Sequence, residues 1–319
     1  MIDKISKLLD ILLLPFIIPA AFILKFVRRL GLNRLPFTRK ILVKIGVMPI
    51  INHYYDPFFS EKDLQKPLNE ERSLMGIDWN INEQLALLKS FSFSNEFSEI
   101  PDDYKNDLSF HFNNGSFCSG DAEYWYNMIR LKQPKKIIEI GSGHSTKIAQ
   151  KAILKNKELN LEYNCLHTCI EPYEMPWLEK LNINVIREKV ENIELSFFKT
   201  LEEGDILFID SSHIIKPQGD VLFEYFEILP ILNKGVIVHI HDIFSPRNYL
   251  KEWVIDTHRL WNEQYLLEAF LNSNKNWRII GAVNYLKHNH YALLHSKCPR
   301  LTVNREPGSF YIVKINFYF

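Results

Sequence analysis

From residue 135 onward the chain alternates short apolar runs with longer stretches in which apolar residues recur every three or four positions. The runs KKIIEIG (135–141), LHTCIEP (166–172), INVIREKV (183–190), GDILFIDSSH (204–213), GVIVHIHD (235–242), NWRIIGAVN (276–284) and GSFYIVKIN (308–316) predict seven strands. The segments HSTKIAQKAILKN (144–156), GDVLFEYFEILPIL (219–232) and RLWNEQYLLEAFLNSN (259–274) predict helices between them. Strands that alternate with helices predict an α/β fold: a Rossmann-like, doubly wound, mostly parallel seven-stranded sheet covered on both faces. The unbroken apolar run in DILFID fits a strand buried on both sides. Such sheets bind ligands beyond the carboxyl ends of their strands, which is where chemistry is expected.

Before residue 135 the pattern differs. Residues 11–24, ILLLPFIIPAAFIL, are wholly apolar. A helix of that length spans about 21 Å, short of a bilayer core of roughly 30 Å. Pro15 and Pro19 interrupt it. These features predict an interfacial or re-entrant membrane segment, with a buried core helix and a cleaved signal peptide as the other readings. Lys25, Arg28, Arg29, Arg34, Arg39, Lys40 and Lys44 follow, a basic flank that favours the cytoplasmic side of an anionic membrane. Peripheral membrane contact is therefore expected through residues 8–44, at the cytoplasmic face of an inner membrane. GVMPIINHYYDPFF (46–59) reads as irregular, GIDWNINEQLALLKSF (76–91) as a helix from about Asn82, and NDLSFHFNNGSF (106–117) as turn-rich. The expected organisation is a membrane-associating segment (1–45), a helical and irregular cap (46–115) and a catalytic α/β domain (116–319).

Composition adds exclusions. The 319 residues are 46% hydrophobic and 24% charged, and the formal net charge is zero. The whole chain thus carries no electrostatic footprint for nucleic acid. Four cysteines in a chain this long make no disulfide framework and point to a reducing, cytosolic compartment. Cys165 and Cys169 bracket His167, as a metal cluster or as alternate core positions of a strand would. The CxxC spacing of a zinc site is absent.

The strand ends carry the candidate chemistry. EIGSGHST (139–146) holds a Gly141–Ser142–Gly143 turn directly before a helix. A dinucleotide fingerprint needs a third glycine where Thr146 stands, which weakens that reading. Glu171 ends the second strand, placed to accept hydrogen bonds from ribose hydroxyls. Asp210 ends the fourth strand, with His213 three residues later, and the fifth ends in His241 and Asp242. Oxygen and nitrogen donors from Asp210, His241 and Asp242 suit a divalent cation with open positions, beside His213 as base. The plain alternative is that the acids are caps and the histidines bond locally. His239, one pleat before His241, reads as a buried supporting residue.

Taken together, IIEIGSGHST, IEP, DILFIDSSH and VHIHDIF resemble class I S-adenosylmethionine-dependent methyltransferases, and more narrowly the bacterial methyltransferase family 24 type, related to macrolide-sugar O-methyltransferases. FCSGDAEYWYNMIRLKQPKK (117–136), WNEQYLLEAFL (261–271) and PGSFYI (307–312) share the likeness, which spans roughly residues 110–315. The resemblance implies S-adenosylmethionine held by Glu139, Gly141, Ser142, Gly143, Ser145, Glu171 and Asp210, with His213 and Asp210 catalytic. It implies a metal site at Asp210, His241 and Asp242, where His241 replaces the relatives' Glu and favours Mn²⁺ over Mg²⁺. It further implies O-methylation of a sugar, glycan or related small-molecule hydroxyl. The basic membrane-proximal segment adds a lipid-linked glycan as an acceptor. The competing expectations are a nicotinamide-dependent sugar-modifying enzyme and a non-catalytic membrane-attached scaffold.

Overall fold

The runs of β-branched and aromatic residues form a single sheet in the computed structural model, which describes residues 2–173 and 175–316. Its strands are β1 (Lys136–Ile140), β2 (Leu166–Ile170), β3 (Asn184–Ile186), β4 (Ile206–Ile209), β5 (Ile237–Ile240), β6 (Trp277–Ala282) and β7 (Phe310–Lys314). They lie in the order β3-β2-β1-β4-β5-β7-β6. All neighbours are parallel except β7, which is antiparallel to both β5 and β6. The doubly wound, mostly parallel expectation therefore holds. Every strand is shorter than its apolar run, because the flanking residues leave the ladder to build the strand-end loops.

The helices are α1 (Ile2–Leu30), α2 (Pro36–Ile45), α3 (Ile81–Ser90), α4 (Asp121–Lys132), α5 (His144–Leu159), α6 (Leu195–Phe198), α7 (Asp220–Phe223), α8 (Leu229–Ile231), α9 (Glu263–Leu271), α10 (Val283–Asn289) and α11 (Tyr291–Lys297). A π-helical turn over Glu224–Ile228 joins α7 to α8. Alternate strand residues feed two cores, one on each side of the sheet. Ile137, Ile206, Phe208, Ile237 and Tyr311 pack with α4, α5 and α10. Ile138, Ile140, Leu207, Ile209, Val238 and Ile240 pack with the α7–α8 stretch and α9. The first face also carries Glu139, His167, Cys169, His239 and His241, so polar chemistry is built into one side of an otherwise apolar layer.

Two compact units divide the chain: residues Met1–Pro67 with Lys251–Leu260, and residues Leu68–Leu250 with Trp261–Phe319. The second unit holds the sheet, and residues 68–120 pack with it through Leu88, Phe91, Phe97, Phe112 and Phe117. In the first unit, Arg28 pairs with Asp56 and Lys251 with Glu61. Its α1 corrects one expectation: Pro15 and Pro19 do not interrupt the helix. Each proline removes one donor from the ladder, and the remaining hydrogen bonds carry the helix through. Ile5–Leu30 is 26 residues, about 39 Å at 1.5 Å per residue, and is long and apolar enough to cross a membrane. The buried-core alternative fails as well, since Leu8, Leu12, Phe16, Phe22 and Phe26 are all exposed.

Candidate active site

The glycine turn after β1 is set by close packing. Gly141 has φ +76°, and a Cβ there would lie 2.0 Å from the Asp210 carbonyl oxygen. Only glycine fits. Backbone bonds then bind the strand ends together: Gly141 N–H to the Ile170 carbonyl at 3.0 Å, Asp210 N–H to Ile140 at 2.8 Å, and His241 N–H to Ile209 at 2.9 Å. Thr146, where a dinucleotide fingerprint has its third glycine, accepts from the Gly143 N–H at 3.1 Å and closes the turn. Ser145 is buried in the first turn of α5.

Glu139 is completely buried. Its Oε2 accepts from His167 Nε2 at 2.9 Å and from Cys169 Sγ at 3.2 Å, and Gln150 lies 2.8 Å from His167 Nδ1. The Glu139, His167 and Cys169 side chains are close enough to share an ion. Their mutual hydrogen bonds already satisfy Oε2. Among the described residues, Glu139 Oε1 and Ser142 Oγ are buried without a hydrogen-bond partner. A buried carboxylate oxygen left open beside a glycine turn is the feature a cationic ligand group would satisfy. Glu171 receives the Ser142 N–H at 3.3 Å and the Tyr173 N–H at 3.0 Å, which fixes its carboxylate at the mouth of the same turn.

The ends of β4 and β5 converge, as expected. Asp210, His241 and Asp242 each present a donor atom within 4.8 Å of the others. His213 Nε2 lies 3.2 Å from Asp210 Oδ1 and 3.6 Å from Asp242 Oδ2. Its other nitrogen, Nδ1, lies 2.7 Å from Glu263 Oε2. Both His213 (φ +58°) and Asp242 (φ +57°) occupy the left-handed region, a strain that recurs at functional sites. The His213 carbonyl accepts the Asn262 and Glu263 N–H groups that open α9, so the loop and the helix fix each other. The ring also packs on Trp261, centroids 4.3 Å apart.

Charge is dense here. Burial opposes ionisation of Asp210, yet the His241 and His213 charges hold its carboxyl far below the usual range. Burial would likewise strip His213 of its proton, but Asp210 and Glu263 raise it well above an ordinary histidine. His241 is raised in the same sense, against burial, by Asp242, Asp210 and Asp121. Burial pushes the Glu224 carboxyl well up, with Glu263 and Asp220 adding to it, and its Oε2 accepts the Ser211 hydroxyl at 3.1 Å.

His239 is placed as expected, one pleat back and buried. It stacks on Tyr311 with centroids 4.1 Å apart, and burial lowers it well below an ordinary histidine. Two acids reach the site from segments that sequence reasoning assigned no role. Glu263 opens α9 and Asp121 opens α4. Both lie inside segments that carried the family likeness, and that was the available signal.

The donor set of two carboxylates and one imidazole, with both His241 ring nitrogens buried and lacking a hydrogen bond among the described residues, fits a divalent cation. The strand order with its reversed seventh strand, the glycine turn after β1 and the acid after β2 define the class I S-adenosylmethionine-dependent methyltransferases. Residues 138–243 match the family model described as Methyltransferase domain. Residues 138–243 carry that methyltransferase domain, and the chain is an S-adenosylmethionine-dependent methyltransferase. It is also similar to a relative from Archaeoglobus fulgidus described only as an uncharacterized protein. The two are 30% identical over 167 residues, 48% of this chain and 74% of the relative. Among solved structures it is similar to an O-methyltransferase from Bacillus cereus in complex with SAH (13% identity, TM-score 0.37, 72% of this chain and 91% of that one). It is also similar to the MycE methyltransferase of the mycinamycin biosynthetic pathway in complex with Mg, SAH and mycinamycin VI (14% identity, TM-score 0.35, 66% and 55%).

Proposed function

We propose that this methyltransferase moves the cofactor's methyl group to a hydroxyl of a sugar, glycan or related small molecule, with His213 as general base. The observation that carries this is the mounting of His213. One ring nitrogen rests on a fully buried carboxylate, Glu263, and the other points at the carboxylates where β4 and β5 end. The pairing with Glu263 holds the Nδ1 proton and leaves Nε2 to take a proton from an acceptor.

Methyl transfer displaces a good sulfonium leaving group, so the protein has two tasks: aligning the acceptor and removing its proton. Alignment is worth about 7–11 kcal/mol and a positioned base about 10²–10⁴-fold. Glu139, Gly141, Ser142, Gly143 and Ser145 would hold the methionine part of S-adenosylmethionine, with the open Glu139 Oε1 facing its ammonium. Glu171 would take the ribose hydroxyls, and Asp210, whose carbonyl packs against Gly141, would complete the cofactor site. Asp210, His241 and Asp242 would hold Mn²⁺ or Mg²⁺. When bound, that cation would polarise the acceptor hydroxyl and offset the carboxylate charge that keeps a proton on His213 Nε2.

The exposed apolar α1 and the basic residues that follow support attachment to the cytoplasmic face of a membrane, where a lipid-linked glycan is the fitting acceptor. Label transfer from tritiated S-adenosylmethionine to glycolipid and polar-metabolite fractions tests the activity. His213→Ala should abolish transfer while S-adenosylhomocysteine binding by calorimetry is retained. Equal loss of both would overturn the base assignment. Mass spectrometry of glycans from a deletion strain, seeking loss of a one-methylene increment, identifies the acceptor.

A further inference from the structure

His241 is buried, and neither of its ring nitrogens makes a hydrogen bond among the described residues. An imidazole in that position is costly unless something else takes both ends. The two ends face different partners. Nδ1 points at Asp210 Oδ1 (3.4 Å) and Asp242 Oδ1 (3.6 Å), the spacing of donors around a shared ion and not of a closed hydrogen bond. Nε2 points the other way, at Asp121 Oδ2, 3.8 Å off. Asp121 is itself anchored: its Oδ1 accepts the Gly308 and Ser309 N–H groups at 2.9 and 2.7 Å. Only Oδ2 remains for His241. The ring of Phe117, centroid 4.9 Å away, walls the imidazole on one side.

We infer that Asp121 is the orienting carboxylate of a metal centre at Asp210, His241 and Asp242. It holds His241 with Nε2–H toward itself and Nδ1 toward the ion, and thereby builds a site that prefers Mn²⁺ to Mg²⁺. A ligating histidine ordinarily gives its second nitrogen to a carboxylate or carbonyl, and losing that partner costs about 10–100-fold in metal affinity. An imidazole donor beside two carboxylates favours a borderline ion over Mg²⁺, which takes oxygen ligands. The inference deepens the metal part of the proposed function and rests on it. It assigns to Asp121 a role separate from its hold on Gly308 and Ser309.

Mn²⁺ binding to the full chain in detergent, with S-adenosylhomocysteine present, tests it by calorimetry and by the loss of the free-ion electron paramagnetic resonance signal. Asp121→Asn keeps an oxygen for the Gly308 and Ser309 N–H groups. It should weaken Mn²⁺ binding about 10–100-fold with the melting temperature of the metal-free protein unchanged. His241→Glu should erase the preference for Mn²⁺ over Mg²⁺, and adding Asp121→Asn to it should change Mn²⁺ affinity no further, because the imidazole that couples them is gone. Undiminished Mn²⁺ binding by Asp121→Asn overturns the inference and leaves the metal site standing. An unchanged Mn²⁺/Mg²⁺ ratio in His241→Glu overturns it as well, even where Asp121→Asn folds poorly. Absence of Mn²⁺ binding by the unaltered chain overturns the metal site itself, a result distinct from the other two.

Discussion

Glu263 Oε2 sits 2.7 Å from His213 Nδ1, and its other oxygen accepts the Tyr225 hydroxyl at 3.2 Å. The carboxylate is wholly buried and fully engaged, so the imidazole has one orientation available. Glu263→Gln keeps the shape but offers an amide in place of the charge. Turnover should fall by up to the value of the base itself, about 10²–10⁴-fold, with KM for S-adenosylmethionine nearly unchanged. Label-transfer kinetics check this, and a rise in cofactor KM as large as the fall in kcat would refute it.

Cofactor affinity should depend on Glu171. Its carboxylate is preset by the Ser142 and Tyr173 N–H groups. Glu171→Ala should weaken S-adenosylhomocysteine binding about 10–100-fold, the worth of a charge-assisted pair of about 1.5–3 kcal/mol. Calorimetry measures it, and a change under threefold would move the ribose contact elsewhere.

Gly141→Ala should be destabilising irrespective of ligand. The left-handed φ alone costs about 1–3 kcal/mol in a residue with a Cβ. The Cβ would also meet the Asp210 carbonyl at 2.0 Å, and neither backbone can yield without moving β1 or β4. Thermal melts without cofactor should show a drop of several degrees. An unchanged melt would mean that the turn relaxes freely.

Acid should weaken the joint between α10 and the segment entering β7. Glu306 accepts Lys287 Nζ at 2.6 Å, His288 Nε2 at 2.8 Å and Asn284 Nδ2 at 2.9 Å. Burial alone would raise its carboxyl, yet His288 and Lys287 hold it down to about 2 from an ordinary 4.5. A carboxyl depressed in the folded state stabilises above its unfolded value and loses that contribution as pH falls from about 4.5 toward 2. Denaturant melts should show the native chain losing more stability than Glu306→Gln across that window. Parallel curves would remove the assignment.

Membrane attachment should be hydrophobic and not merely electrostatic. The apolar side chains of α1 are exposed over most of its surface, whereas the basic cluster lies at and beyond its end. The chain should sediment with membranes and stay there in high salt, and removal of residues 1–30 should release it. Salt release of the intact chain would support a surface contact in place of an inserted helix.

The strand and helix periodicities from residue 135 onward, the glycine turn and the acids at the strand ends were legible in the residues alone. Each is a local pattern: apolar runs read as strands whatever they pack against, and a GxG before a helix reads as a turn. Glu139 was named from its motif, but its bonds to His167 and Cys169 arise from a neighbouring strand in register with it. The run around Pro15 and Pro19 reads locally as interrupted, yet α1 continues through both, because a proline's local cost says little about whether the rest of a ladder survives it.

What the amino-acid order determined by itself is the sheet, its mostly parallel winding and the four groups Asp210, His213, His241 and Asp242 at two strand ends, since those positions follow from periodicity along one stretch of chain. What only the tertiary structure decided is which carboxylates stand behind the two histidines. Glu263 reaches His213 because α9 opens on the His213 carbonyl, and Asp121 faces His241 because the turn at Gly308 and Ser309 holds it there. These partners are distant in sequence, and their pairing is a property of packing across a sheet face that no local pattern contains.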